Sequence, residues 1–401
     1  MISCDFLIIG SGIIGVNVAN ELASRYPNKS IVVIDKEKNE AMHASGRNSG
    51  VLHAGFYYTS DSLKAKFTRD GNIAMTRYCK ENNLPVRNCG KLVVAQNEKE
   101  IKVLDELLIR AKKNRVALEK ITEKEAKEIE PKVKTNKFAL FSPNTSSVDP
   151  KLIMKSMVRN AKSRGVVFKF NTSYLKKNNN LISTSKGSVL AKYIVNCAGL
   201  YADKIAKDFN FSKKYYLLPF KGVYLKSNEK DISISTNIYP VPKLENPFLG
   251  VHFTVTVDGM VKIGPTAIPA LWREQYEGMQ NFNSSELFEI LKQQISLALS
   301  SNFDFKRLAI EEIAKYYKPI MANQASRLCS GYSKSSFIES SAPGIRAQLV
   351  DADKKKLEMD FVIEGDGKSM HVLNAVSPAF TCSIPFSKYI VDKIEKFINH
   401  N

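Results

Sequence analysis

A strand, a glycine turn and a helix open the chain, and that order constrains the fold more than anything after it. Asp5-Phe6-Leu7-Ile8-Ile9 is an apolar run long enough for a buried strand; Gly10-Ser11-Gly12-Ile13-Ile14-Gly15 follows at once, and helical spacing continues to about Arg25. In such a turn the first glycine permits the tight reversal and the second lets backbone approach a pyrophosphate. The third lets helix and strand pack closely, with the helix N-terminus facing the negative charge. The next apolar run, Ile31-Val32-Val33-Ile34, ends in Asp35, twenty residues after Gly15, where an acid accepts a hydrogen bond from a ribose 2′-hydroxyl. Gly10, Gly12, Ile13, Ile14, Gly15, Asp35 and its neighbour Lys36 are therefore expected to hold a dinucleotide on a Rossmann-type α/β domain.

A chain of 401 residues exceeds what one core usually supports, so a second domain is expected. No internal repeat or low-complexity linker separates the two, which implies interleaving. Residues 1–90, 145–215 and 336–401 are assigned to a discontinuous nucleotide-binding domain, and 91–144 and 216–335 to a substrate domain built on a mixed, largely antiparallel sheet. Helical spacing is read over 98–118 and from Pro150 to about Arg164. Strands are read at Val166–Phe170 and Tyr193–Cys197, the latter ending at Ala198-Gly199, a second place for backbone to approach a dinucleotide. Val251, Phe253, Val255 and Val257 alternate with His252, Thr254 and Thr256 before the turn Asp258-Gly259, so one face of this hairpin is apolar. Its polar face either meets solvent or floors a substrate cavity. The last strand, Met370–Asn374, leads to a helix running towards Ile398. Ser377 is expected as its cap and Pro378 in its first turn, so that free amides near Ala379 oppose negative charge.

Six cysteines without paired spacing and five histidines without an HExxH pattern predict reduced thiols and no metal site. The net charge of +19 comes mostly from lysines scattered along the chain; only 13 of the 59 basic residues are arginine. Nucleic-acid binding would concentrate that charge on one element, so no nucleic-acid partner is expected. A solvated basic surface, or attraction of an acidic substrate or an anionic membrane surface, accounts for it. No apolar run approaches the roughly 20 residues of a membrane span, and the N-terminus enters a strand at once. A cytoplasmic protein, peripheral on the cytoplasmic membrane face if membrane-bound at all, is expected.

Ser45 and Gly50 fall ten and fifteen residues after Asp35, inside Ala44–Gly55. With this spacing the chain resembles the flavin-dependent amine and 2-hydroxyacid oxidoreductases of the D-amino-acid oxidase type, and most closely the L-2-hydroxyglutarate dehydrogenase or oxidase family. The likeness rests on blocks in order from end to end: Ser45–Tyr58, Ser62–Lys66, Cys89–Leu92, Asn196–Asp203, Pro219–Gly222, Asn237–Pro242, Phe248–Phe253, Gly264–Ala267 and Gly344–Gln348. It implies noncovalent FAD and oxidation of the 2-hydroxy carbon of a dicarboxylate. Cofactor contacts are expected, besides those of the glycine turn, from Ser45, Gly46, Arg47, Asn48, Ser49, Gly50, Val51, Tyr174, Ala198, Gly199, Asp203, Gly344, Ser377, Pro378 and Ala379.

Taking hydride from a secondary alcohol needs an electron sink, a base for the hydroxyl proton and a cationic clamp for carboxylates. His53 is expected as the base because it directly follows the flavin loop and imidazole titrates near neutrality, with His252 the second choice. Arg346, whose planar fork pairs with a carboxylate, is expected beside the reacting carbon. Lys221, Lys64, Lys66, Tyr239 and Thr254 are candidates for the rest of the substrate. Glycerol-3-phosphate or amino-acid oxidation is the alternative within the same architecture; a flavin-bearing RNA-binding or regulatory protein is a third reading, prompted by the charge. Oxygen or a quinone is expected to re-oxidise the flavin.

Overall fold

The computed structural model describes residues 2–227, 232, 234–244, 248–299 and 304–399. Two compact units share the chain: Met1–Asn48, Pro150–Leu218 and Arg346–Asn401 form one, Ser49–Asp149 and Pro219–Ile345 the other. Residues 49–90 fall in the second unit. The reason is local pairing there: Val51 and Leu52 pair antiparallel with Ser147 and Ser146, and Val86–Arg87 flanks the same strand.

In the first unit Ile2–Ile9 is parallel to Gly187–Asn196 on one side and to Ile31–Ile34 on the other, with Leu7 opposite Ile194 and Val32. Val167–Lys169 extends the sheet beyond Ile31–Ile34, and Ser369–Asn374 pairs parallel with the far end of Gly187–Asn196. A central parallel strand is covered on both faces, which is why its sequence is an unbroken apolar run. Leu7, Ile9, Val32, Ile34, Ile194, Ile205 and Phe209 pack together on one side; the helix Ile13–Arg25 packs against helices Pro150–Ser163 and Ala379–Asn399.

The second unit is organised by an eight-stranded sheet in the order 337–340, 225–227, 261–264, 252–255, 237–240, 91–94, 138–142, 119–122. Neighbours are antiparallel except Asn237–Pro240 with Lys91–Val94, which are parallel. Side chains alternate across the pleat. Leu92, Val94, Ile238, Phe253 and Val255 enter one core with Met321 and Ala322. Val93 and Tyr239 face the other way, toward Phe56, Tyr57, Leu104 and Leu107 of a second cluster.

Candidate active site

The glycine turn fits a nucleotide cradle on steric grounds. Gly10 has φ +103°, and a Cβ there would lie 2.5 Å from the carbonyl oxygen of Cys197; a Cβ on Gly15 would lie 2.0 Å from the carbonyl oxygen of Gly10. Helix Ile13–Arg25 begins at Gly12, whose lack of a side chain leaves its first turn uncapped by its own N-cap residue. Ser45 supplies one bond instead, its Oγ accepting the Ile13 amide at 2.9 Å. The Ser45 carbonyl accepts from Asn48 Nδ2 (2.9 Å), the Gly46 amide donates to His43 (2.9 Å) and Arg47 Nε donates to the Met42 carbonyl (2.7 Å), so this loop is held by its own backbone. Asp35 Oδ2 accepts from both the amide and the hydroxyl of Ser11 at 2.7 Å, which locks the acid onto the turn. Lys36 pairs with Glu37 and lies over the ring of Tyr201.

Other expected cofactor residues take different places. Gly199 starts a short 3₁₀ turn just after Ala198, at the end of the strand beside Ile2–Ile9. Buried Asp203 accepts the Leu217 amide at 3.1 Å and so anchors the next strand. Tyr174 sits three strands away from Ile2–Ile9, its hydroxyl donating to Asp208, and is not brought to the glycine turn. Two residues earlier, Thr172 donates its amide to the Asp35 carbonyl at 2.7 Å. The last helix begins at Ala379, not Pro378, and Ser377 is exposed; Pro378 instead contributes the carbonyl that accepts the Cys382 amide. Gly344 and Arg346 open the strand Gly344–Asp351, with Arg346 half-buried in the first unit and Gly344 in the second. Ser49, Gly50 and Val51 belong to the second unit, where the Gly50 carbonyl accepts from Val148.

In the second unit His53 follows the strand Val51–Leu52 and is buried. Asn72, on the helix Leu63–Glu81, fixes its backbone: Nδ2 donates to the carbonyls of Leu52 (3.1 Å), His53 (3.3 Å) and Asn144 (3.0 Å). The imidazole Nδ1 lies 3.4 Å from Nζ of Lys91. Lys91 heads a fully buried strand between two neighbours, opposite Asn237 and Ser142. Its Nζ lies 4.5 Å from the ring centre of Tyr239, 5.1 Å from Tyr57 and 5.3 Å from Phe56. Burial lowers the pKa of Lys91 to about 7; the same burial pushes the Tyr57 and Tyr239 phenols well above their usual range.

Tyr239 stacks on His252 with ring centres 3.6 Å apart, and His252 Nδ1 is 2.9 Å from the Gly250 carbonyl. His252 and Thr254 are both buried, so the polar face of this hairpin does not meet solvent. Among the described residues the buried hydroxyl of Tyr57 has no hydrogen-bond partner. Such a group costs free energy unless something pairs with it, which suits a polar ligand. Lys221 is buried with Nζ 5.1 Å from the Tyr316 ring. Lys64 is buried next to Tyr58, whereas Lys66 is exposed beside Phe67: two residues apart on one helix, they point to opposite sides.

Lys91 and Asn72 are the residues that the sequence reading passed over. A lysine heading an apolar run looks like the solvated end of a strand. Only the sheet order shows a lysine in the interior, where it cannot snorkel to water.

Residues 5–393 match the family described as FAD dependent oxidoreductase. The chain is 34% identical to the mitochondrial L-2-hydroxyglutarate dehydrogenase of Nematostella vectensis, covering 97% of this chain and 90% of that protein. It is also 34% identical to the L-2-hydroxyglutarate dehydrogenase of Escherichia coli strain K12, covering 98% and 94%. Among solved structures it is similar to the L-alpha-glycerophosphate oxidase of Mycoplasma pneumoniae with FAD bound, at a TM-score of 0.75, 22% identity, and coverage of 98% and 95%.

Proposed function

The chain belongs to the FAD-dependent oxidoreductases and, within them, to the L-2-hydroxyglutarate dehydrogenases, and on that premise we propose that it oxidises L-2-hydroxyglutarate to 2-oxoglutarate with His53 as the base. The carrying observation is the end-to-end similarity to relatives of that name, together with a buried imidazole set on a buried lysine. The turn Gly10–Gly15, Asp35 and the loop Ser45–Asn48 are the residues to hold the cofactor. FAD held there would supply a two-electron acceptor for the hydride of the substrate's 2-hydroxy carbon. His53 takes the hydroxyl proton, worth about 10²–10⁴ in rate for a positioned base. Arg346 pairs with the carboxylate beside C2, and Lys221, Lys64, Tyr239, His252 and Thr254 are candidates for contacts to the rest of the substrate. Oxygen or a quinone is the proposed final electron acceptor.

The test is anaerobic addition of L-2-hydroxyglutarate, its D-enantiomer, other 2-hydroxy acids, glycerol-3-phosphate and amino acids to the yellow protein, reading the loss of flavin absorbance. Fast bleaching by L-2-hydroxyglutarate alone supports the reading; bleaching by glycerol-3-phosphate or an amino acid instead overturns it. Admitting air, or a quinone analogue, to the bleached protein identifies the acceptor.

A peripheral membrane site is the second reading. Among the described residues no helix is long and apolar enough to cross a membrane. However, Phe288, Ile295 and Leu299 make an exposed apolar stripe along Ser284–Ala298 and its C-terminal end, and Ile310 and Ile313 are exposed on the next helix, Phe305–Ile313. With a chain charge of +19, an anionic lipid surface is the matching occupant.

A further inference from the structure

We propose that Lys91 is a positioning residue for the base: as a neutral amine it accepts the Nδ1–H of His53, which fixes the tautomer that leaves the basic lone pair on Nε2. The inference deepens the assignment of His53 above and rests on it.

The geometry carries the case. Nζ of Lys91 is 3.4 Å from His53 Nδ1, within reach of a hydrogen bond whose direction the protonation state decides. An ammonium can only donate. It would bind the lone pair of Nδ1, place the ring proton on Nε2 and leave no base there. A neutral amine keeps two N–H groups but is a far stronger acceptor than donor, so it favours accepting from Nδ1–H and reverses that arrangement. The surroundings favour the neutral form. Lys91 has no exposed surface, and its walls are the rings of Phe56, Tyr57 and Tyr239. Three ring faces offer a cation some attraction, but burial outweighs it and leaves Lys91 titrating near neutrality. The titratable groups around it are His53 and Tyr57 from the loop, Cys89 from its own segment, and Tyr239 with the stacked His252 from the neighbouring strands. Burial holds both phenols protonated, so neither supplies a compensating negative charge near neutral pH.

Proton balance is complete within the pair. The substrate hydroxyl proton moves to Nε2, and the charge that develops on the ring is shared through Nδ1–H with the Lys91 amine. An aspartate in this position would orient the ring equally well while holding a full negative charge. A neutral amine orients it without attracting the proton so strongly, and leaves the pocket free to accept an anionic substrate.

The experiment uses the FAD-loaded protein with ¹⁵N-labelled histidine and compares wild type with Lys91→Met and Lys91→Arg, the His53 signals being assigned by their loss in His53→Gln. At pH 8 the wild type is expected to show the Nδ1–H tautomer of His53, and Lys91→Arg the Nε2–H tautomer, because a guanidinium only donates. Lys91→Met is expected to show a mixture. Anaerobic flavin reduction should then rise with pH through about 7 in wild type, rise less steeply in Lys91→Met, where the imidazole is the one group left to titrate, and fall by about 10² or more in Lys91→Arg at every pH. An Nε2–H tautomer in wild type at pH 8, or tautomers unchanged by Lys91→Arg, overturns the proposal. Because the tautomer is read without substrate, the expected tautomers in all three proteins with no bleaching by any 2-hydroxy acid would overturn the assigned reaction and leave this pairing standing.

Discussion

Ser45 Oγ accepts the backbone N–H of Ile13 at 2.9 Å, across 32 residues of chain. The serine ten residues after Asp35 therefore completes the first turn of the helix that the glycines begin. Replacing it by alanine removes the acceptor of a part-buried amide, a loss of about 1 kcal/mol. Ser45→Ala is expected to melt slightly below wild type and to release FAD more readily. Flavin-to-protein absorbance after gel filtration checks it, and full flavin retention would contradict it.

Gly12 and Gly15 separate ligand approach from packing. A Cβ on Gly15 would lie 2.0 Å from the Gly10 carbonyl oxygen, whereas one on Gly12 meets only Ser45 Oγ at 3.3 Å. Gly12→Ala is expected to fold with an apoprotein melting temperature near wild type and to lose FAD, since the added methyl occupies the path of the pyrophosphate. Gly15→Ala is expected to lose both, because helix and strand must move apart. Thermal melts of the two apoproteins, with flavin content of each, decide the matter.

His371 is buried between Phe209 and Phe211, with Nδ1 3.2 Å from Asn196 Nδ2 and Nε2 3.1 Å from Ser369 Oγ. Burial lowers its pKa to about 4. The folded pKa lies below that of the unfolded chain, so the unfolded state binds the proton first as pH falls. Stability from this residue is present above about pH 6.5 and is lost progressively down to about pH 4. Between pH 7 and pH 5 the loss is about 2 kcal/mol. Urea unfolding at the two pH values measures it, and His371→Gln should flatten the difference.

These parts of the molecule differ in how far a sequence exposes them. Gly10, Gly15, Asp35 and Ser45 are legible because their spacing is local and their constraints are steric, acting within one strand, turn and helix. Lys91 is illegible because its burial comes from Asn237–Pro240 and Phe138–Ser142 pairing on either side of it, partners set by the sheet order and not by any neighbour in sequence. The alternation around His252 and Thr254 shows two faces but not what covers them. The structure covers both, with Tyr239 stacked on the imidazole. The last helix starts at Ala379, one residue later than Ser377 as cap and Pro378 in the first turn imply, since Ser-Pro is a good opening on propensity alone while the backbone begins its helical bonding at the Pro378 carbonyl.

Asn72 links the helix Leu63–Glu81 to the segment that carries His53, the proposed base. Its Nδ2 bridges the carbonyls of Leu52, His53 and Asn144 and touches no ring nitrogen of the histidine. Asn72→Ala leaves three carbonyls short of a donor in a buried place and is expected to lower stability by about 1–3 kcal/mol. Because the loop carrying His53 is then less well placed, anaerobic flavin reduction should slow by about tenfold. Asn72→Asp, which cannot donate and brings a charge against carbonyl oxygens, is expected to be worse than alanine on both measures. A rate for Asn72→Asp at the wild-type level would show that Leu52 and Asn144 are held by other means.

The apolar stripe of Ser284–Ala298 gives the last test. Phe288 is 72% exposed, Ile295 58% and Leu299 83%, one above another at helical spacing. Side chains of this size in a continuous row are costly to leave in water, and singly scattered exposure does not explain a row. Phe288→Glu with Leu299→Glu removes apolar area and adds two negative charges, yet touches no part of the core, so flavin content and bleaching rate should stay at wild-type levels. Sedimentation with vesicles containing phosphatidylglycerol should be strong for wild type, weaker as salt rises, and abolished in the double variant. Equal sedimentation of the two proteins would remove the lipid surface as the occupant, and a change of sedimentation coefficient without vesicles would assign the stripe to a second copy of the chain.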